Sequence, residues 1–253
     1  MRLMRIEKVL EQIKANQERV RWLPRMKKDG TTFDVPMAKL GNETYAWRAG
    51  KRLAVYKQNF LQGMPDSSVL FITLVTPYGS TYYGCRDSWL VTSKALGPFC
   101  KALKKLGAIE YFAGLEATSE GCCHCHLLAR WDKPLQSSVR NDKHYLSEKA
   151  LVQSICKKWI SAWANVSELP LNNNAVSIQV CPNQYEAENA FDYATAHLGF
   201  QSNITHVINR VSNNKGDSTD IEKLFTNYWG TKWRIKLYRA SRGLRKGKVS
   251  CVN

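Results

Sequence analysis

The stretch IEYFAGLEATSEGCCHCHLLARW, Ile109 to Trp131, reads as two β-strands joined by a tight turn. Successive side chains of a strand point to opposite faces, so His124, His126, Leu128 and Arg130 share one face while Cys123, Cys125, Leu127 and Ala129 share the other. Thr118, Ser119, Glu120 and Gly121 are turn formers, and Gly121 can supply the positive φ that a three-residue hairpin loop needs. With Ser119 to Gly121 as the loop, Thr118 pairs with Cys122 and Glu116 falls opposite His124. Glu110, Phe112, Gly114 and Glu116 then lie on the same face as both histidines, and Gly114 leaves room beside His126. Two imidazoles and one carboxylate on a rigid sheet make half of a coordination sphere, with open positions for water or a substrate oxygen.

Upstream of the hairpin, VLFITLVT from Val69 to Thr76 is an unbroken apolar and β-branched run stopped by Pro77 and Gly79. It predicts a central strand covered on both faces. A helix is expected between about Ser93 and Leu106, with Leu96, Phe99, Leu103 and Leu106 at helical spacing and Gly107 as its stop. Beyond Pro134, Ser147 is expected to cap a helix whose inner side carries Leu151, Val152, Ile155, Trp159 and Trp163. Ala175 to Val180 is a short strand. QYEAENAFDYATAHL, residues 184–198, forms a helix ending at Gly199, on which Tyr193 and His197 are four apart and share a face. The order strand, helix, hairpin, helix, strand gives an α+β fold, a mainly antiparallel central sheet with helices on one face.

The flanks differ from this centre in charge. The chain holds 37 Lys and Arg against 21 Asp and Glu, a formal net charge of +16. Residues 1–62 carry 14 basic and 6 acidic residues, and residues 231–253 carry 8 basic and no acidic ones, so the stretch between is neutral. Basic arms around a neutral core suit a polyanionic partner gripped from both ends, with nucleic acid the first candidate. Residues 6–22 place Ile6, Val9, Leu10, Ile13 and Val20 near helical spacing, a pattern extended by Leu23. A loop with Asp29, Gly30 and Pro36 comes next, then a basic helix KRLAVYKQNFLQG ending at Gly63. Trp22, Tyr45, Trp47 and Tyr56 lie among these cations. Residues 212–219 read as polar loop and 220–230 as a short helix. The end, KWRIKLYRASRGLRKGK, offers Lys232, Arg234, Lys236, Arg239, Arg242, Arg245 and Lys246 as phosphate-contacting residues on a strand or arm. The organisation is therefore 1–62 a basic helical flank, 63–200 the core, and 201–253 a basic extension.

Several classes are excluded. With 253 residues and 44% apolar content the chain can bury a sizeable core. The longest apolar run is too short to span a bilayer, and the charged start is not a secretory signal, so a soluble cytoplasmic protein with no membrane partner is expected, in a bacterial cytosol. The eight cysteines show no framework spacing and fit reduced thiols. CCHCH is a poor structural zinc site, which usually draws ligand pairs from two separated turns. No GxxxxGK[ST] phosphate loop occurs, so unwinding is expected to need a host or other separate helicase.

VLFITLVT, then HCHLL inside a hairpin, then a helix carrying FDYATAH, together resemble the HUH endonucleases, and most closely the rolling-circle replication initiators of plasmids and single-stranded DNA phages. The resemblance covers about residues 68–200. It implies an RRM-like or ferredoxin-like core and a tyrosine endonuclease that uses a divalent metal, Mn²⁺ or Mg²⁺. Such an enzyme nicks single-stranded or hairpin origin DNA and stays joined to its 5′ phosphate. His124 and His126 match the two histidines, with Cys125 where the family usually has a bulky apolar residue. Glu116 matches the acidic ligand and Tyr193 the nucleophile. The family's tyrosine helix commonly has a lysine three or four residues after the tyrosine; here Ala196 and His197 stand there. His197 is assigned that cationic or hydrogen-bonding role, and Tyr185, two turns earlier, is the alternative nucleophile. A transposase or conjugative relaxase of the same superfamily is the nearest rival. A non-catalytic single-stranded nucleic-acid-binding protein is the rival from another class.

Overall fold

The Val69–Leu74 strand lies at the middle of a seven-stranded sheet in the computed structural model, which describes residues 6–18, 21–27, 29–37, 43–79, 81–171, 173–199, 204–233 and 235–245. The described elements in chain order are α1 (Ile6–Glu18), β1 (Arg21–Met26), β2 (Thr32–Met37), α2 (Glu43–Leu61), β3 (Val69–Leu74), α3 (Tyr82–Lys105), β4 (Glu110–Ala117) and β5 (Cys123–Arg130). Then come β6 (Ser137–Arg140), β7 (Lys143–Leu146), α4 (Lys149–Ala164), β8 (Val176–Cys181), α5 (Gln184–Gly199), α6 (Ile204–Ser212), α7 (Ser218–Lys232), β9 (Tyr238–Ala240) and α8 (Arg242–Arg245). The sheet order is β6-β7-β8-β3-β5-β4-β9, with every neighbouring pair antiparallel.

Period-two alternation gives this sheet two different faces. Leu70, Ile72 and Leu74 of β3 lie beside Ala129, Leu127 and Cys125 of β5 and beside Val180, Ile178 and Val176 of β8. That apolar face is covered by α3 and α4, where Phe99 meets Trp159 at 5.3 Å between ring centroids and Trp89 is fully buried. The opposite face carries Phe71, Thr73, His124, His126, Phe112 and Glu116, and α5 lies on it through Phe191, 4.6 Å from Phe112 and 5.9 Å from Phe60.

The α+β class and the antiparallel sheet therefore hold, but helices lie on both faces rather than one. The physical reason is that the second face, besides its polar cluster, carries Phe112 and Leu128, both fully buried, and a sheet with apolar side chains to bury on both faces needs two covers. The flanks join the same body: α2 packs on α5 and α8, α1 on α7, and β9 pairs with β4 at the sheet edge. Among the described residues no helix is long and apolar enough to cross a membrane.

Other departures have local causes. α3 begins at Tyr82, well before Ser93, because Thr81 caps it by accepting from Gly84 N at 3.0 Å, and Cys85, Trp89 and Thr92 extend its buried side. α4 is preceded by Glu148 as its cap, without a side-chain cap bond, and Ser147 N instead donates to Gln136 O. α1 ends at Glu18, and the chain then enters the β1–β2 ribbon, in which Pro24 and Pro36 sit at positions that a two-stranded ribbon tolerates. The β6–β7 hairpin turns at Asn141 and Asp142, both at positive φ. α7 starts with a full capping box between Asp217 and Asp220.

At the turn between β4 and β5, Thr118 N donates to Cys122 O at 2.8 Å and Gly121 has φ +90°. Gly121→Ala is expected to cost about 1–2 kcal/mol, since a β-carbon is strained in that backbone region. Denaturant unfolding measures it, and an unchanged midpoint would contradict the argument.

Candidate metal centre

The hairpin register builds the site. Glu116 lies opposite His124, and Gly114 opposite His126, which is paired on its other side with Thr73 of β3. Glu116 and His126 are buried and His124 is nearly so. Glu116 Oε1 lies 2.8 Å from His124 Nε2 and 2.5 Å from His126 Nε2, and the two Nε2 atoms are 3.0 Å apart.

The 2.8 and 3.0 Å spacings fit a metal ion, and the 2.5 Å one is shorter than such an ion would set. Bonds of about 2.1 Å at right angles hold neighbouring donor atoms about 3 Å apart. Three inward-facing acceptor atoms also repel one another unless protons or a cation lie between them. The donor set is thus able to hold a metal ion. On the far side of the ring, His126 Nδ1 is 3.2 Å from Thr73 Oγ1, which fixes the imidazole and leaves Nε2 toward the site. His124 Nδ1 is buried and has no hydrogen-bond partner among the described residues, so within them the two histidines are supported unequally. Thr73→Val keeps the shape and removes that hydroxyl. It is expected to weaken divalent-ion binding about 10–100-fold, which isothermal titration would detect; unaltered affinity would deny Thr73 this role.

Tyr193 of α5 lies over the same face. Its ring centroid is 4.9 Å from that of His126 and 6.0 Å from that of Phe71, edge-on in both cases. Partial burial holds the phenol above its ordinary pKa, and the charges of Glu116 and then Glu222 push it the same way. Tyr185 is exposed and has no ring contact among the described residues. His197 is on α5, but its side chain lies outside the described residues. Beside Tyr193 opens a cleft of about 820 Å³, floored by Phe71, Thr73 and Gln179 and walled by Asn183, Glu186 and Asn189 of the α5 side. Asp142, Lys143 and His144 of the β6–β7 hairpin close its far wall.

The basic end is folded as far as α8. Arg239 is turned inward, its Nη2 donating to Ser93 O at 2.9 Å, and Lys232 Nζ donates to Tyr228 Oη at 2.6 Å. Lys236 and Arg242 are exposed. Arg234 and Lys246 lie outside the described residues, as does the side chain of Arg245.

Sequence reasoning missed Thr73, Lys57 and Glu222. Lys57 of α2 pairs with Glu188 at 2.7 Å and Asp192 at 2.8 Å, anchoring the helix that carries Tyr193. Glu222 comes with α7, which is held to β4 where Ala117 N donates to Thr226 Oγ1 at 2.8 Å. Within the unbroken run VLFITLVT nothing singles out Thr73 as a site residue. The other two carry no local signal, because helix packing brings them in. No protein-family model matches the chain, and neither does any curated protein or any solved structure.

Proposed function

We propose that this protein is a metal-dependent endonuclease that cleaves one DNA strand at a replication origin and joins the 5′ phosphate to Tyr193. The observation that carries this reading is the placement of Tyr193 beside His126, at the mouth of an open cleft and over the Glu116, His124, His126 group. A phosphodiester resists attack because its oxygens repel the nucleophile, and a divalent cation at the group would withdraw that charge. Mn²⁺ or Mg²⁺ is proposed, although the two imidazoles would also accept Zn²⁺ or Ni²⁺.

In the reaction the Tyr193 oxygen, having lost its proton, forms a bond to phosphorus, and the bond from phosphorus to the 3′ oxygen breaks. That oxygen leaves and takes a proton. The phosphotyrosine link keeps the energy of the broken bond, because a phenolate is a good leaving group when the strand is rejoined. Phe71 and Tyr193 offer aromatic surfaces to unpaired bases, and Gln179, Asn183 and Asn189 offer amide groups to base edges.

The test is incubation with labelled single-stranded origin sequences and Mn²⁺, with denaturing electrophoresis and mass spectrometry as the readout. A tyrosine adduct that EDTA prevents supports the proposal. Tight, salt-sensitive binding without an adduct across a broad set of sequences would replace it with a non-catalytic binding module. Cleavage that prefers transposon ends or transfer origins would keep the chemistry and change the biology to that of a transposase or relaxase.

A further inference from the structure

Two thiols that the proposed chemistry does not use face each other behind the metal-bearing hairpin. Cys85, in the first turn of α3, and Cys122, which ends the β4–β5 turn, hold their Sγ atoms 3.4 Å apart. The backbone around them is fixed from both sides. Trp89 Nε1 donates to Gly121 O at 3.0 Å, Cys123 N donates to Ser88 Oγ at 2.8 Å, and Cys85 Sγ donates to Glu120 O at 3.3 Å. Cys122 Sγ in turn lies 3.3 Å from Gly79 O. The start of α3 and the turn are therefore already docked, and only the two sulfurs must close to the disulfide length of about 2.05 Å.

We propose that Cys85 and Cys122 are the site of a reversible disulfide, formed by exchange with low-molecular-weight disulfides, that fastens the turn of the metal-bearing hairpin to α3. One thiol, as its thiolate, attacks a sulfur of glutathione disulfide and releases one glutathione, giving a mixed disulfide. The second protein thiol displaces the second glutathione. The pair loses two electrons and two protons, and one glutathione disulfide becomes two glutathione thiols. Ser119 and Glu120 of the turn are exposed, so the pair lies one layer beneath the surface.

The other cysteines of the hairpin are not equivalent. Cys123 and Cys125 are fully buried under α3, and burial pushes both thiols well above their ordinary range. Cys100 and Cys181 are each pushed up to about 12 for the same reason. The new bond would act at the end of the hairpin that carries Glu116 and His124, which hydrogen bonds and the packing of Trp89 already hold to α3.

The reduced full-length protein would be treated with glutathione disulfide under native conditions, alkylated and mapped by fragmentation mass spectrometry. A loss of two hydrogens, a link between Cys85 and Cys122, and a melting temperature several degrees higher that dithiothreitol reverses are expected. Cys85→Ser and Cys122→Ser should each lose the link and the shift. Both thiols remaining open to alkylation, or a link that maps to Cys123 or Cys125, would overturn the proposal. So would a linked protein that melts below the reduced one. None of these readouts depends on DNA cleavage.

Discussion

Tyr193→Phe is expected to abolish the covalent adduct and to lower strand cleavage by more than about a thousandfold, because in the proposed reaction the phenol oxygen forms the bond to phosphorus and phenylalanine offers no atom to replace it. The ring stays, so its edge-on contacts with His126 and Phe71 should persist, and the fold should melt at nearly the same temperature. Binding of single strands should survive for the same reason. Tyr185→Phe is the companion measurement. Tyr185 is exposed and lacks those ring contacts, so its variant should cleave like the parent. If Tyr185→Phe lost the adduct and Tyr193→Phe kept it, the nucleophile would be Tyr185 and the placement over His126 would have another meaning.

Glu116→Gln should remove the response to divalent ions. Oε1 of Glu116 is the atom that meets both Nε2 atoms, at 2.8 and 2.5 Å, so an amide there leaves two imidazoles and no anion. A free ion at a hundred times its dissociation constant stabilises the folded chain by about 2.7 kcal/mol. For a chain of this size that corresponds to a rise of roughly 5–10 °C in melting temperature. The parent should show this rise with Mn²⁺, and Glu116→Gln should show almost none while melting near the parent's ion-free value. A variant that kept the full rise would place the ion elsewhere. Cleavage should fall with ion binding, which separates this variant from Tyr193→Phe, where the thermal response to Mn²⁺ remains.

Much of the site was legible because it is local. The pairing of Glu116 with His124 and of Gly114 with His126 comes from one turn and a period of two, and Gly121 marks that turn by its positive φ. The central strand was equally plain, since VLFITL has no polar face to expose. What failed to show depends on distant parts of the chain. The basic run reads as a phosphate-contacting strand or arm, and β9 is a strand, but nothing beside Arg239 says that its guanidinium will meet Ser93 O across the sheet edge. The β6–β7 hairpin was hidden because its turn uses Asn141 and Asp142 rather than a glycine, and β6 is exposed along its whole length, without the alternation that marks a half-buried strand. The early start of α3 was obscured by Gly84 and by β-branched Val91 and Thr92, poor helix formers that tertiary burial overrides.

The metal donors and the nucleophile reach the site by chain closures of very different length. His124 is eight residues from Glu116, so a single hairpin assembles all three donors at small entropic cost. Tyr193 is separated from the hairpin along the chain by β6, β7, α4 and β8, and its place depends on β8 pairing with β3, which puts Cys181 opposite Val69. Undocking α5 alone therefore leaves the donor hairpin whole, and such partial openings lie below global unfolding in free energy. On the proposed function, an ion held at the centre would report an intact hairpin rather than a competent enzyme, because undocking α5 would carry Tyr193 away and leave the three donors together.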